Sequence, residues 1–278
     1  MVDLCITTDY ARDTGDPSPY LERVAAAGFS HIHWCHQWNT DFIYSNPEIV
    51  QIGIWLKTFG LRLLDLHGST GPEKNWASPK DYERLAGVEL VRNRIEMTAR
   101  LGGAVVVMHI PAGAVGTPLK RSLDELEPWA RRLGIRLALE NGDFPAIRSL
   151  FEAYGPDYVG LCYDAGHGNL TPAGLDQLAC LKNRLHAVHL HDNDGSGDQH
   201  NLPFSGTIDW ARLCRILAES AYTNPVSLEV SMRCAGIPDE ADFLARAREA
   251  GTRLTMMIGP KNEARTFKAG DARKAGQA

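Results

Sequence analysis

No run of apolar residues in this sequence approaches the roughly 18 that cross a bilayer; the longest are strand-sized, such as Ala104 to Met108. No Cys-x-x-Cys pair occurs, and the six cysteines are scattered singly, several of them (Cys5, Cys35, Cys162) inside apolar runs. That usage excludes a zinc ribbon or a disulfide scaffold and suits reduced, buried thiols in a cytoplasmic protein. Basic residues are not in surplus: the formal net charge is -5, so nothing draws the chain as a whole to nucleic acid or to an anionic membrane. The opening Met-Val-Asp-Leu-Cys lacks a basic, then apolar, leader, and no signal peptide is expected.

What is present is a repeated alternation of strand and helix signals. Short apolar or β-branched runs stand at Leu4–Thr7, His31–Cys35, Leu61–Leu66, Ala104–His109, Ile135–Glu140, Tyr158–Tyr163, Ala187–His191 and Val226–Val230. Stretches with helical spacing follow them. Tyr20, Val24 and Ala27 share one face before Gly28. Ile49, Ile52 and Leu56 precede Gly60. Leu85, Val88, Val91, Ile95 and Leu101 precede Gly102, and Leu123, Leu126, Trp129 and Leu133 precede Gly134. Glycine takes the left-handed cap conformation cheaply, so each is a predicted helix stop.

Strand–helix alternation implies parallel strands joined by right-handed crossovers. Eight such units in 278 residues predict one closed (β/α)8 barrel, a TIM barrel, which needs about 250 residues. An open doubly wound sheet is the other arrangement. It would be marked by a glycine-rich phosphate loop after the first strand, and Thr7-Thr8-Asp9-Tyr10 stands there instead. The barrel is expected over residues 1–258. Residues 259–278, polar and rich in Lys, Arg, Ala and Gly, are expected to form a flexible tail, or to dock on a neighbouring copy in a homo-oligomer.

A barrel of this kind works at the C-terminal ends of its strands. The third strand ends in Leu66-His67, the fourth in Met108-His109 and the fifth in Leu139-Glu140-Asn141. The sixth runs into Tyr163-Asp164-Ala165-Gly166-His167, the seventh into Val188-His189-Leu190-His191-Asp192, and the eighth carries Leu228-Glu229-Val230. One His or Glu at a strand end is usually a solvated rim residue. Six consecutive strands each delivering one to the same rim is a different matter. Glu140, Asp164 and Glu229 brought together unpaired would repel one another and raise their pKa values, and a bound divalent cation removes that penalty. With His189 they make a mixed oxygen and nitrogen set that fits Mn2+, Mg2+, Co2+ or Zn2+. No organic cofactor is expected. After the seventh strand, Asp198 and His200 alternate, so both can face one ligand. Asp192 and Asp194 are read equally well as part of a polar turn.

These residues resemble the xylose-isomerase-like TIM barrels. The carriers are the Glu of Leu139-Glu140-Asn141, Asp164 with His167, His189 with Asp192, and Glu229 on the eighth strand. The stretch from His191 through Asp198 and His200 to Trp210 is similar to the branch called sugar phosphate isomerase/epimerase. The resemblance spans Leu4 to about Ile258. It implies one divalent metal on Glu140, Asp164, His189 and Glu229, with the two glutamates as base and acid. An open-chain sugar or keto-polyol would lose and regain a proton through an enediolate. His167 would hydrogen-bond a substrate oxygen, with His109 and His67 helping to orient it and Asp198 and His200 as further metal or site residues. Dehydratases of the inosose and dehydroshikimate type share this metal site. The ketose 3-epimerase pattern is broken at Ala146 and Gly195, where those enzymes carry Glu and Arg, and no Lys follows Glu140 as in xylose isomerase.

Endonuclease IV, in the same superfamily, offers a rival from another class. Its three zinc ions have counterparts for all nine ligands in His67, His109, Glu140, Asp164, His167, His189, Asp198, His200 and Glu229. Against it, Gly68-Ser69-Thr70 follows His67 in place of the DNA-bending Tyr. No Lys/Arg cluster lies between Thr8 and Asp41 or after His67, where Lys74 stands alone. A nucleic acid or membrane partner is therefore not expected. Among residues near the first two strands, Trp34 and Trp38 are the expected aromatic contacts for a sugar. His31 and His33 receive no role, and no Arg or Lys stands out as a phosphate ligand.

Overall fold

The computed structural model describes residues 2–12, 14–35, 43–68, 74–111 and 116–260. Eight strands alternate with helices in chain order. The strands are β1 (Leu4–Thr7), β2 (His31–Trp34), β3 (Arg62–His67), β4 (Val105–Met108), β5 (Arg136–Glu140), β6 (Val159–Asp164), β7 (Leu185–His189) and β8 (Val226–Leu228). The helices are α1 (Ser18–Ala26), α2 (Asn46–Phe59), α3 (Asp81–Arg100), α4 (Thr117–Leu133), α5 (Phe144–Ala153), α6 (Ala165–Leu170), α7 (Gly174–Leu181), α8 (Trp210–Ala218) and α9 (Glu240–Ile258). Neighbouring strands pair in parallel in the order β7-β6-β5-β4-β3-β2-β1-β8. The ring closes between β7 and β8 through a single parallel bridge, Leu190 to Leu228, where Leu190 N–H donates to the Ser227 carbonyl at 2.9 Å. This is the expected (β/α)8 barrel.

The helix stops fall where glycine was expected. Gly28, Gly60, Gly102 and Gly134 all have positive φ, between 68° and 88°. At the other end of α2, Ser45 and Glu48 form a capping box, which satisfies two N–H groups that a helix start leaves open. One expected core position differs. Leu85 is 50% exposed, because α3 turns Arg84, Gly87, Val91 and Ile95 inward. Arg84 is buried and pairs with the exposed Glu125 at 2.9 Å, and Gly87 lets the Trp76 backbone pass so close that a Cβ would sit 2.3 Å from its nitrogen.

Side chains alternate across each strand. Val106, Met108, Leu137, Leu139, Leu161, Val188 and Leu190 join the large outer core under the helices. Val105, Val107, Ala138, Cys162 and Ala187 form a separate inner cluster. Barrels of this type usually fill their interior with bulky branched residues. Here several of the inward positions are small or polar.

Outside the barrel wall, His186 is 7% exposed and its ring presses on Gly160, where a Cβ would stand 1.8 Å from the ring. Burial, with Arg136 beside it at 3.3 Å, pushes its pKa down to about 4. Between that value and its ordinary 6.5 the unfolded chain binds a proton that the folded chain refuses. Stability contributed by neutral His186 is therefore complete above pH 6.5 and is lost as the pH falls towards 4. Denaturant unfolding across that window should show a loss on the order of 3 kcal/mol from this group. A His186→Asn variant should have a correspondingly flatter profile; an unchanged slope would remove His186 as the cause.

Candidate metal centre and active site

The alternation that points Ala138, Cys162 and Ala187 into the barrel decides what stands one step above them. Two residues further along β5, β6 and β7 come Glu140, Asp164 and His189, and Glu229 follows Ser227 by the same step just beyond β8. All four are buried, at 4%, 0%, 0% and 8% exposure respectively. Each presents a ligand atom within 4.8 Å of every other. His189 Nδ1 lies 2.7 Å from Glu229 Oε2 and 3.3 Å from Glu140 Oε1.

The donor set fits a divalent cation. Glu140 Oε2 and Glu229 Oε2 are buried and neither makes a hydrogen bond. Glu229 Oε2 approaches His189 Nδ1 closely, yet the contact is not aligned as N–H to O. Buried carboxylate oxygens left this way are costly unless a positive charge stands among them. Burial alone would raise the Glu140 carboxyl, but His189, His67 and His109 more than reverse this and hold it well below the usual range. Glu229 is held low against its own burial, chiefly by His189.

Two further groups flank this centre. His67 Nε2 and His109 Nε2 lie 3.3 Å and 3.4 Å from Glu140 Oε2. On the other side, Asp198 Oδ2 is 3.1 Å from His200 Nε2 and 3.3 Å from His167 Nε2. His191 Nε2 sits 3.0 Å from both Asp164 oxygens, and its ring stacks on His200 at 4.1 Å. His167 and His200 are both pushed up to about 10; burial opposes the shift, and Asp198 with the neighbouring carboxylates outweighs it. His109 moves the other way, because burial outweighs the pull of Glu140.

Local structure explains how these side chains are held. Asn141 clamps the tops of β5 and β6 by accepting from the Asp164 N–H at 2.6 Å and donating to the Asp164 carbonyl at 3.1 Å. Asp164 also caps α6, accepting from the His167 N–H at 2.7 Å. Gly166 has to be bare, since a Cβ there would meet the His191 ring at 2.0 Å. Asp192, buried, accepts from the N–H groups of Asn193, Phe204 and Ile208 and from Trp210 Nε1. It is the anchor of the loop that carries Asp198 and His200, whereas Asp194 serves a surface turn with Ser196.

A family model described as the xylose isomerase-like TIM barrel matches residues 21–248. The chain belongs to that family. An uncharacterised protein of Sinorhizobium fredii is 30% identical over 86% of this chain and 88% of its own length. The L-ribulose-5-phosphate 3-epimerase UlaE of Escherichia coli is 28% identical over 62% of this chain, which spans 65% of that protein. Among solved structures, a D-psicose 3-epimerase superposes with a TM-score of 0.78 at 19% identity, covering 93% of this chain and all of that one. An L-ribulose 3-epimerase gives 0.72 at 17% identity, covering 95% and all of that chain. At these identities the structural likeness speaks for the fold.

Within this family member the structure gathers Glu140, Asp164, His189, Glu229, His67, His109, His167, Asp198 and His200 at one mouth. It does not bring Trp34 there. Trp34 is 1% exposed, lies in the outer core and donates to the Tyr44 hydroxyl at 3.1 Å, because it alternates outward on β2. Trp38 lies outside the described residues. His191, His33, Asp65 and Asn141 were not foreseen as site residues; the period-two step from His189 to His191 was the available signal for the first. Beside Glu229 and His200 opens a cavity of about 330 Å3, also lined by Asp9, Tyr10, Arg12 and Arg233. No helix among the described residues is long and apolar enough to cross a membrane.

Chelator-stripped protein should regain several degrees of melting temperature when a dication is restored. Asp164→Asn should weaken that binding at least about tenfold with an unchanged circular dichroism spectrum. An undiminished regain would take Asp164 out of the centre.

Proposed function

We propose that this chain is a divalent-metal-dependent isomerase or epimerase acting on an open-chain sugar or keto-polyol, by proton transfer next to a carbonyl. The observation that carries this reading is the pair of buried carboxylates, Glu140 and Glu229, both within 3.3 Å of His189 Nδ1. They come from strands three places apart round the ring, so they approach a bound substrate from different directions. Held as carboxylates by His189, they stand in the unprotonated form that a general base needs. One carboxylate takes the proton from the carbon beside the carbonyl, leaving an enediolate, and then releases that proton to solvent; the other, once it has drawn a proton from solvent, delivers it to the enediolate. A bound Mn2+, Mg2+, Co2+ or Zn2+ supplies Lewis-acid stabilisation of the charge that gathers on the carbonyl oxygen. His167, His109 and His67 hydrogen-bond the substrate oxygens and keep the reacting carbon over the carboxylates. The epimerase names of UlaE and of the solved neighbours support a sugar as substrate. Arg12 and Arg233 at the adjoining cavity give an anionic substituent a place, so the substrate screen includes phosphorylated and free ketoses. Six free cysteines agree with a cytoplasmic setting.

In heavy water the wild-type enzyme should place deuterium on the carbon beside the carbonyl of its substrate. Glu229→Gln should keep the fold, read by circular dichroism, while kcat falls at least about a hundredfold. Turnover without solvent exchange, or retained activity in the variant, would refute the proton-transfer mechanism. A dehydratase beginning with the same proton loss would reveal itself by loss of water from the product.

A second reading rests on the two flanking groups. His67, His109 and Glu140 form one possible metal set and His191, Asp198 and His200 another, and a three-ion centre is suited to phosphodiester hydrolysis. Elemental analysis of protein purified without chelator or polyhistidine tag decides between them. About one ion per chain is expected for the sugar enzyme; about three zinc ions with cleavage of abasic-site DNA would replace the first reading with the second.

A further inference from the structure

Beneath the metal centre, inside the barrel, lies a buried pair that the proposed chemistry does not use. His33 on β2 and Asp65 on β3 face each other across paired strands, at 0% and 2% exposure. His33 Nδ1 and Asp65 Oδ1 are 2.6 Å apart. The far nitrogen of His33, Nε2, is buried and has no hydrogen-bond partner. A pair that merely filled the barrel would not be expected to leave that atom open, because buried polar atoms find partners. The His33 ring packs 4.3 Å from the His189 ring. His33, His189 and Glu229 each offer a ligand atom within 4.8 Å of the others, and all are buried. Two donors on one such ion stand up to about 4.4 Å apart, so a slight side-chain turn brings the three onto a common ion. A carboxylate holding one ring nitrogen while the other is presented bare is the arrangement that fixes the tautomer of a metal-ligating histidine.

We propose that His33, oriented by Asp65, is a further ligand of the dication held by His189 and Glu229, and that this second imidazole makes the centre prefer Zn2+ or Co2+ to Mg2+ or Mn2+. The inference rests on the metal-dependent reading above and adds to it which residue selects the metal. Imidazole suits the borderline cations, whereas an all-oxygen set suits the hard ones. Asp65 is a positioning residue here; it acts through His33.

The test uses the full-length chain stripped with chelator and titrated with Zn2+, Co2+ or Mn2+ alone against a chromogenic competitor, with the visible absorption of the Co2+ form as second readout. His33→Gln should lose about ten- to a hundredfold in Zn2+ and Co2+ affinity, lose little for Mn2+, and shift the Co2+ band. Asp65→Asn should move both readouts the same way by less. Unchanged affinity and band in the folded variants would overturn the proposal. Should the variants fail to fold, Cu2+-loaded wild type read by pulsed electron paramagnetic resonance decides: two coupled imidazoles support His33 as ligand, and one overturns it. If wild type binds a dication, Asp164→Asn loses it and His33→Gln does not, only this inference fails. If wild type binds none, the metal-dependent reading fails with it.

Discussion

Three buried carboxylates and one histidine crowd into a space that one ion would fill, and much of the molecule is arranged to permit that crowding. Like charges this close, this far from water, repel strongly. The protein brings histidines to every side of them: His67 and His109 against Glu140, His191 against Asp164, and His189 between Glu140 and Glu229. Of these rings, His67, His189 and His191 have raised pKa values and offset the negative charge in part, yet carboxylate oxygens of both glutamates still lack hydrogen-bond partners. The geometry suits a cation better than it suits a closed network of hydrogen bonds.

The barrel makes that possible by the plainest of rules, the two-residue repeat of a strand. On β5, β6 and β7 the inward row reads Ala138 then Glu140, Cys162 then Asp164, Ala187 then His189. Small residues below leave room for polar ones above. The outward positions Leu137, Leu139, Leu161, Val188 and Leu190 are apolar and carry the helices, with His186 on β7 a polar exception. Stability is thus built mainly on one face of the wall and chemistry on the other.

That division explains what could be read from the sequence. The eight strands and the four glycine stops were legible because each is a local signal, an apolar run or a cheap left-handed turn. The convergence of Glu140, Asp164, His189 and Glu229 was legible because they end strands in a fold where strand ends meet. Trp34 was misplaced because a sequence does not state which strand parity faces inward until another strand fixes it; His33, one residue away, took the inner position instead. His33 and Asp65 gave no signal because their pairing joins residues 32 positions apart. Leu85 was assigned to the core because it fits the helical period, but α3 turns Arg84 inward instead, its guanidinium reaching the exposed Glu125.

The closing joint of the barrel adds a mechanical consequence. Most neighbouring strands are laced together over three or four registered residues, but β7 and β8 meet through one bridge at Leu190 and Leu228. His189 stands immediately before that bridge and Glu229 immediately after it. An ion gripped by both residues, as proposed, would be a rivet through the weakest joint of the ring, so that loading the centre and locking the last strand would become a single event.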